Sequence, residues 1–274
     1  MSSMGKRDDI LKMPDRSRKL VSPRTGTSSR LFFIIPAGLA ILIILTGCAS
    51  TTTKPSPVMK TIKTPSPKTK QMNVIRDQVV DYFLEIALGA EYGISDYTIK
   101  KWHSDIFIEI QGKPTPEDLK TLYQVVNELN QLVEGAIQLH IVEKGGNVEV
   151  FFIPHSQFYQ YEPPGLVFYG GFFWNWWDGN GVIHRGRVVI ASDNISQKLR
   201  SHLIREELTQ VLGLMNDSMK YPDSIFYQGY SEIHTFSELD KAIIRLLYSE
   251  PITVGMTYEQ LQKFYSRAMP RGTH

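Results

Sequence analysis

The chain has 274 residues, enough for one substantial core, and its 42% hydrophobic and 21% charged content is ordinary for a globular protein. The formal net charge of +2 conceals a split: the first 47 residues carry eight Lys/Arg against three Asp/Glu, and the remainder carries 22 basic and 25 acidic side chains. That balance excludes the concentrated basic face needed to bind nucleic acid, and the single cysteine, Cys48, excludes an intramolecular disulfide.

Residues 1–30 are polar and basic, and the apolar run Leu31 to Leu45 follows them, leading into Thr46-Gly47-Cys48-Ala49. A basic flank, an apolar stretch and small residues before a cleavage point make an export signal. Its apolar residues reach only about 22 Å as a helix, short of the ~30 Å hydrocarbon core that a spanning segment must cross. Leu45-Thr46-Gly47-Cys48 resembles a bacterial lipobox, which implies cleavage before Cys48, lipidation of Cys48, and anchoring of the chain to a membrane. Ala49 after the cysteine implies sorting to the periplasmic face of the outer membrane. Residues 48–73, rich in Thr, Lys and Pro, cannot bury enough apolar surface to fold and are expected to form a disordered tether.

From Val74 the pattern becomes globular. Val79, Val80, Phe83, Leu84, Ala87 and Leu88 recur at helical spacing up to Gly89. Ile106–Ile110 alternates as a strand, and Thr115-Pro116-Glu117-Asp118 predicts a capped helix running to about Val133. Strands are expected at 138–142 and 148–153, joined by a hairpin turn through Lys144-Gly145-Gly146-Asn147. Phe172-Phe173-Trp174-Asn175-Trp176-Trp177 places aromatics on both parities of a strand, so both faces of it would need cover. Three readings fit: core beneath an insertion, a membrane-interface patch, or a stacking surface for sugar rings. A strand at 187–192 leads to a central helix from Asn194, the expected N-cap, to Leu212, ended by Gly213. A helix over 237–248 and a last one after Thr257 complete the chain.

The central helix carries the chemistry. At about 100° per residue, His202, Glu206 and Gln210 fall within an arc of about 80°, with Glu207 one step around. Beyond Gly213, Asn216 and Asp217 can fold back toward the same face. The remaining histidines, His103, His140, His155, His184 and His274, are scattered singly and form no ligand set. No Gly-rich phosphate loop and no Gly-x-Ser-x-Gly nucleophile elbow is present.

Glu206 to Asn216 reads E-E-x-x-Q-x-x-G-x-x-N, which resembles the zinc-binding motif of metzincin proteases, H-E-x-x-H-x-x-G-x-x-H, in every spacing. Glu207 and Gly213 stand at the positions of the catalytic glutamate and the turning glycine. Glu206, Gln210 and Asn216 replace the three histidines. Ser224-Ile225-Phe226-Tyr227 occupies the place of the Met-turn, and the 237–248 helix resembles the closing helix of that group. Arg205-Glu206-Glu207-Leu208-Thr209-Gln210, Leu212-Gly213-Leu214, Asn216-Asp217-Ser218, Lys101-Trp102 and Ala87 to Tyr92 also resemble a family of proteobacterial lipoproteins, the domain of unknown function numbered 2927.

These resemblances imply an α+β, zincin-like (metzincin-like) single domain over 74–274, with a mixed sheet and a central helix of the active-site type. Replacing imidazoles by Glu206, Gln210 and Asn216 leaves an all-oxygen set, which disfavours zinc and suits Ca²⁺ or Mg²⁺ if any cation. A shifted site using His202 and Glu206, closed by Asp217 or His234, is a second arrangement. In a third, the polar side chains form a hydrogen-bonded network and Glu207 pairs with Arg205 or Arg245. The expected function is that of a lipid-anchored envelope protein whose cleft binds an envelope protein, a peptide or a cell-wall polymer. Its rival is a metal-dependent hydrolase with Glu207 as general base.

Overall fold

The computed structural model describes residues 67–90, 96–161 and 170–268; the expected export signal, Cys48 and most of the expected tether lie outside the described residues. Helix α1 (Pro67–Leu88) starts before Val74, where the tether was expected to end, and Pro67 takes the first turn, where a missing N–H costs nothing. Among the described residues no helix is long and apolar enough to cross a membrane.

The sheet contains β1 (Lys101–Trp102), β2 (Ile106–Gly112), β3 (Leu139–Val142), β4 (Val148–Ile153), β5 (Gly171–Trp177) and β6 (Val182–Ala191). β3, β2, β4 and β6 pair in that order, all parallel, and β1 joins β6 in parallel at Val182 and Ile183. β5 alone is antiparallel; it pairs with β6 and with no other strand among the described residues. Ile106, Ile108, Val148, Val150, Val188 and Ile190 turn one face of the sheet to the main core. Against that core lie α1, α2 (Pro116–Leu132), α3 (Gln197–Gln210), α4 (Glu238–Leu247) and α5 (Tyr258–Ala268). The opposite face carries a small second cluster of Ile153, Phe172, Val189 and Ala191, covered by Phe158 from a 3-10 turn at His155–Gln160. The α+β class with a mixed sheet, expected from the sequence, is the class of the structure, and the helix that carries the motif packs against that sheet.

The aromatic run is explained by the parity of β5. Phe173 and Asn175 face α3 with Gly171, and Phe172 enters the second cluster on the other side. Trp176 lies beneath Arg185 and Arg187, whose guanidinium carbons sit 4.9 and 5.7 Å from its ring centroid. Trp177, at the bulged end of the strand, is 41% exposed.

Two local expectations are corrected. β3 and β4 are not a hairpin: both run parallel to β2, on opposite sides of it, and residues 143–147 carry the chain across. The crossing is held by Glu109, whose Oε2 accepts from the amides of Gly145 (2.8 Å) and Gly146 (3.2 Å). A Cβ on Gly146 would lie 2.7 Å from the Phe107 carbonyl oxygen and the Glu109 amide nitrogen, so only glycine passes this close to β2. The N-cap of α3 is Ser196, not Asn194. Ser196 Oγ accepts from Leu199 N at 3.0 Å, whereas Asn194 takes the left-handed conformation (φ 58°) that asparagine tolerates in a turn.

α3 is buried almost throughout and is fixed at both ends. At its start, the capping-box carboxylate of α2, Asp118, accepts from Gln197 Nε2 (2.7 Å) and Arg200 Nη1 (3.2 Å). Burial opposes the charge on Asp118, but Gln197, Thr115 and Arg200 together hold its pKa below the usual aspartate value. At its end, three successive carbonyls are claimed by side chains. Asn175 Nδ2 donates to Gln210 O (3.3 Å), Trp102 Nε1 to Val211 O (2.9 Å), and Tyr248 Oη to Leu212 O (2.9 Å). Beside Trp102, the buried Lys101 ammonium donates to the carbonyl of Leu247, the last residue of α4, and to that of Ile252 in the segment after it. Gly213 then turns the chain at φ 116°, where an added Cβ would meet the Lys100 carbonyl oxygen at 2.0 Å.

Gly213→Ala and Gly146→Ala are each expected to lower unfolding free energy by about 2 kcal/mol or more, through backbone strain at 213 and steric overlap at both. Urea denaturation of the two variants against wild type measures this.

Candidate functional site

The face of α3 bearing His202, Glu206 and Gln210 forms the floor of a cleft of about 560 Å³. Gly171 of β5 borders it on one side, and Tyr227, Gln228, Gly229, Tyr230 and Ser231 on the other. Glu207 and Asp217 also line it. The loop wall is anchored by a short parallel pairing between Ser218 and Tyr227, with Ser218 N donating to Phe226 O (2.9 Å) and Gln228 N to Ser218 O (3.1 Å).

Beneath that wall the Ser224-Ile225-Phe226 segment is fully buried. Tyr82 Oη donates to Ser224 Oγ (2.8 Å), and Ser224 Oγ donates to Asp240 Oδ1 (2.6 Å). The Asp240 carboxyl also caps α4 by accepting from Ser237 N at 2.8 Å. Burial raises the Asp240 pKa despite these bonds. The turn is thereby fixed to α1 and α4 at once.

Within the cleft the polar groups are bound to one another. His202 Nδ1 lies 2.6 Å from the Ile233 carbonyl oxygen, which can only accept, so Nδ1 carries a proton. Its Nε2 faces Glu206 Oε2 at 3.2 Å, with both side chains nine-tenths or more buried. Burial disfavours the imidazolium, yet the hydrogen bond and charge of Glu206 outweigh it and raise the His202 pKa above 6.5. One turn on, Gln210 Nε2 donates to Asp217 Oδ1 at 2.7 Å. Gln210 Oε1 is buried and has no hydrogen-bond partner among the described residues. The carboxylate of Glu207 lies against Gly171, where a Cβ would come 3.0 Å from its Oε1.

Of the motif residues, Glu206, Glu207 and Gln210 are brought together, with His202 beside them, and Asn216 is not. Asn216 N donates to Ile86 O and Asn216 Nδ2 to Glu85 O, both at 3.2 Å, so it caps the open end of α1. Its side chain fills the space at Gly89, where a Cβ would come within 2.5 Å of it. Asp217 occupies the cleft in its stead. Arg205 does not reach Glu207: it forms an ion pair with Glu128 of α2 and stacks 4.5 Å from the Phe236 ring centroid. His234 is exposed and outside the cleft. The loop wall and the Ile233 carbonyl were missed in the sequence, because backbone groups and small polar loop residues leave no spacing to read.

The donor set does not suit a transition metal. Zinc would need the lone pair of His202 Nε2, which is directed at the Glu206 carboxylate, and Gln210 offers one neutral oxygen. Among the described residues no three His, Cys, Asp or Glu side chains are grouped closely enough to hold a metal ion.

The fold and site define an α+β domain with a carboxylate-lined cleft over a buried central helix. The chain belongs to the DUF2927 family, described as a protein of unknown function, which it matches over residues 76–266. No curated protein matches it. Two solved structures of myroilysin are similar to it at 14% and 13% identity, covering 55% and 64% of this chain and 96% of theirs, with TM-scores of 0.36 and 0.37.

Two outcomes check this geometry. Glu206→Gln is expected to lower the His202 pKa by about one unit or more, read from the imidazole proton shifts by NMR. Because the folded-state pKa of His202 is raised, its contribution to stability is complete below about pH 6.5 and is lost as pH rises through the folded value. That loss should vanish in Glu206→Gln. Asn216→Ala is expected to cost about 1 kcal/mol in thermal or urea unfolding, by uncovering the α1 carbonyls, and to leave the His202 titration unchanged.

Proposed function

We propose that this is a lipid-anchored protein of the bacterial cell envelope, held by Cys48 at the periplasmic face of the outer membrane, whose domain binds an extended polypeptide without cleaving it. The observation that carries this reading is that the cleft side chains at the ligand positions are already engaged. His202 is tied to Glu206 and Ile233, and Gln210 to Asp217. A hydrolase of the kind whose motif this stretch resembles needs its ligand positions as open electron-pair donors to an acidifying metal.

The outer edge of β5 supports the choice of ligand. No strand among the described residues pairs with it, and it starts at Gly171, on the rim of the cleft. An incoming extended chain adds to such an edge through main-chain hydrogen bonds and directs alternate side chains into the cleft. Partners of this form include a segment of an envelope protein or a free peptide; a wall polymer would have to bind through its peptide portions.

The test uses the full chain in detergent. After mild dialysis it is expected to retain far less than one zinc per molecule; one tightly held zinc per chain would overturn the non-catalytic reading. A fluorescent eight-residue peptide of alternating threonine and glutamine with one central arginine is expected to bind saturably. Methylating its alternate backbone nitrogens should weaken binding at least tenfold, and equal binding of the methylated peptide would remove edge pairing from the account.

A further inference from the structure

We infer that His202 is a proton-operated latch on the cleft. While the ring carries both N–H groups it holds the wall of residues 227–233 against α3, and when it gives one up the wall is released. That the latch governs ligand binding rests on the peptide-binding reading above and names how that site is regulated.

Two acceptors converge on the ring from two different elements. Ile233 O, on the wall, lies 2.6 Å from Nδ1, and Glu206 Oε2, one helical turn along α3, lies 3.2 Å from Nε2. A carbonyl and a carboxylate only accept, so each needs an N–H, and the imidazolium has two. A neutral imidazole has one. The Glu206 side chain is 10% exposed, and a buried charge left without a donor costs more than a buried carbonyl left without one. The remaining proton therefore stays on Nε2. Nδ1 then turns a lone pair toward Ile233 O, and the bond that held the wall becomes a repulsion.

The other ties between wall and helix lie on the solvent side. Glu232 accepts from Ser196 Oγ at 3.2 Å and pairs with Lys198 Nζ at 3.0 Å, but Lys198 is 61% exposed, and an ion pair in water contributes little. At its start the wall rises from the Ser218–Tyr227 pairing, next to the buried 224–226 segment that Asp240 fixes. The imidazole bond is thus the buried tie between the far end of the wall and α3. While it holds, Tyr227, Gln228, Tyr230 and Ser231 stand in place along the cleft, and a ligand meets a formed site instead of one it must order.

The charges around the ring set the direction of the switch. Burial works against the imidazolium, Glu206 favours it by hydrogen bond and by charge, the Ile233 carbonyl adds to this, and Arg205 opposes it, with its own charge paired to Glu128. On the wall, Glu232 is engaged by Lys198, and His234 is exposed. Glu207, Asp217, Tyr227 and Tyr230 line the same cleft. The folded-state pKa of His202 is raised, so the latch is closed below about pH 6.5 and opens as pH rises through the folded value. Coupling between proton and ligand is reciprocal: a polypeptide that prefers the closed cleft raises the His202 pKa further.

The threonine-glutamine octapeptide, with blocked ends, is titrated onto the full chain in detergent from about pH 5.5 to about pH 9. Binding is expected to weaken at least tenfold through one proton transition, with its midpoint at the His202 imidazole titration read by NMR. That midpoint should rise when peptide is present. Glu206→Gln sets an amide donor against Nε2, so a neutral ring keeps its proton toward Ile233, and the profile of this variant should be flat. His234→Gln, at the exposed histidine beside the wall, should keep the wild-type profile. Amide exchange over residues 228–233, corrected for the intrinsic rate, reads the wall without peptide. Its protection should fall through the same midpoint in wild type and stay constant in Glu206→Gln. Wall protection indifferent to the His202 titration, or a binding profile that is flat in wild type or survives in Glu206→Gln, overturns the latch. Failure of the peptide to bind at every pH, with wall protection responding as expected, supports the latch and overturns the peptide reading alone.

Discussion

The arrangement depends on how the buried end of α3 is satisfied. A helix that ends inside a core cannot send its last carbonyls to water, and each bare one would cost as much as a lost hydrogen bond. Here the carbonyls of Gln210, Val211 and Leu212 are taken in turn by Asn175, Trp102 and Tyr248, from three different parts of the chain. The indole, phenol and amide thereby fix the position of β5, β1 and α4 relative to the helix. Gly213 then leaves under the Lys100 carbonyl in a conformation other residues resist. The cleft is a by-product of that closure: β5 is drawn to the helix on one side, and the 214–231 segment is returned to it on the other.

Much of this was legible because it rests on local patterns. The capping residues of α2, the periodicity of α1, and the i, i+4, i+8 ladder of His202, Glu206 and Gln210 each state their geometry in a few neighbouring residues. The side of β2 on which β4 lies was not legible, because a Lys-Gly-Gly-Asn turn serves a hairpin as well as a passage across a strand. Only the Glu109 side chain, 36 residues before Gly145, distinguishes them. The same limit applies to Asn216. Its spacing from Gly213 suits a ligand, and its actual partners are the carbonyls of Glu85 and Ile86, on a helix far away in sequence. The Lys101-Trp102 pair was recognisable as a family feature without a reason. The structure supplies one: its two side chains close two helix ends.

The electrostatics of the cleft follow from one proton. The Ile233 carbonyl demands a donor at His202 Nδ1, Glu206 demands one at Nε2, and the ring meets both only as an imidazolium. The His202–Glu206 charge pair is thus internal to one turn of helix. The loop wall is held to α3 from outside as well, where Glu232 accepts from Lys198 (3.0 Å), Ser196 (3.2 Å) and Tyr230 (2.9 Å). These contacts hold Glu232 below the usual glutamate pKa, led by the hydrogen bond from Lys198.

The strap over β2 has a consequence for how the molecule opens. β2 is paired on both sides and is crossed by residues 143–147, whose amides are fastened to Glu109. It cannot slip out sideways, nor be exchanged for the matching strand of another copy, without first undoing the strap. Breathing of the sheet therefore begins at its margins, and the interior strand is released only when the whole domain comes apart.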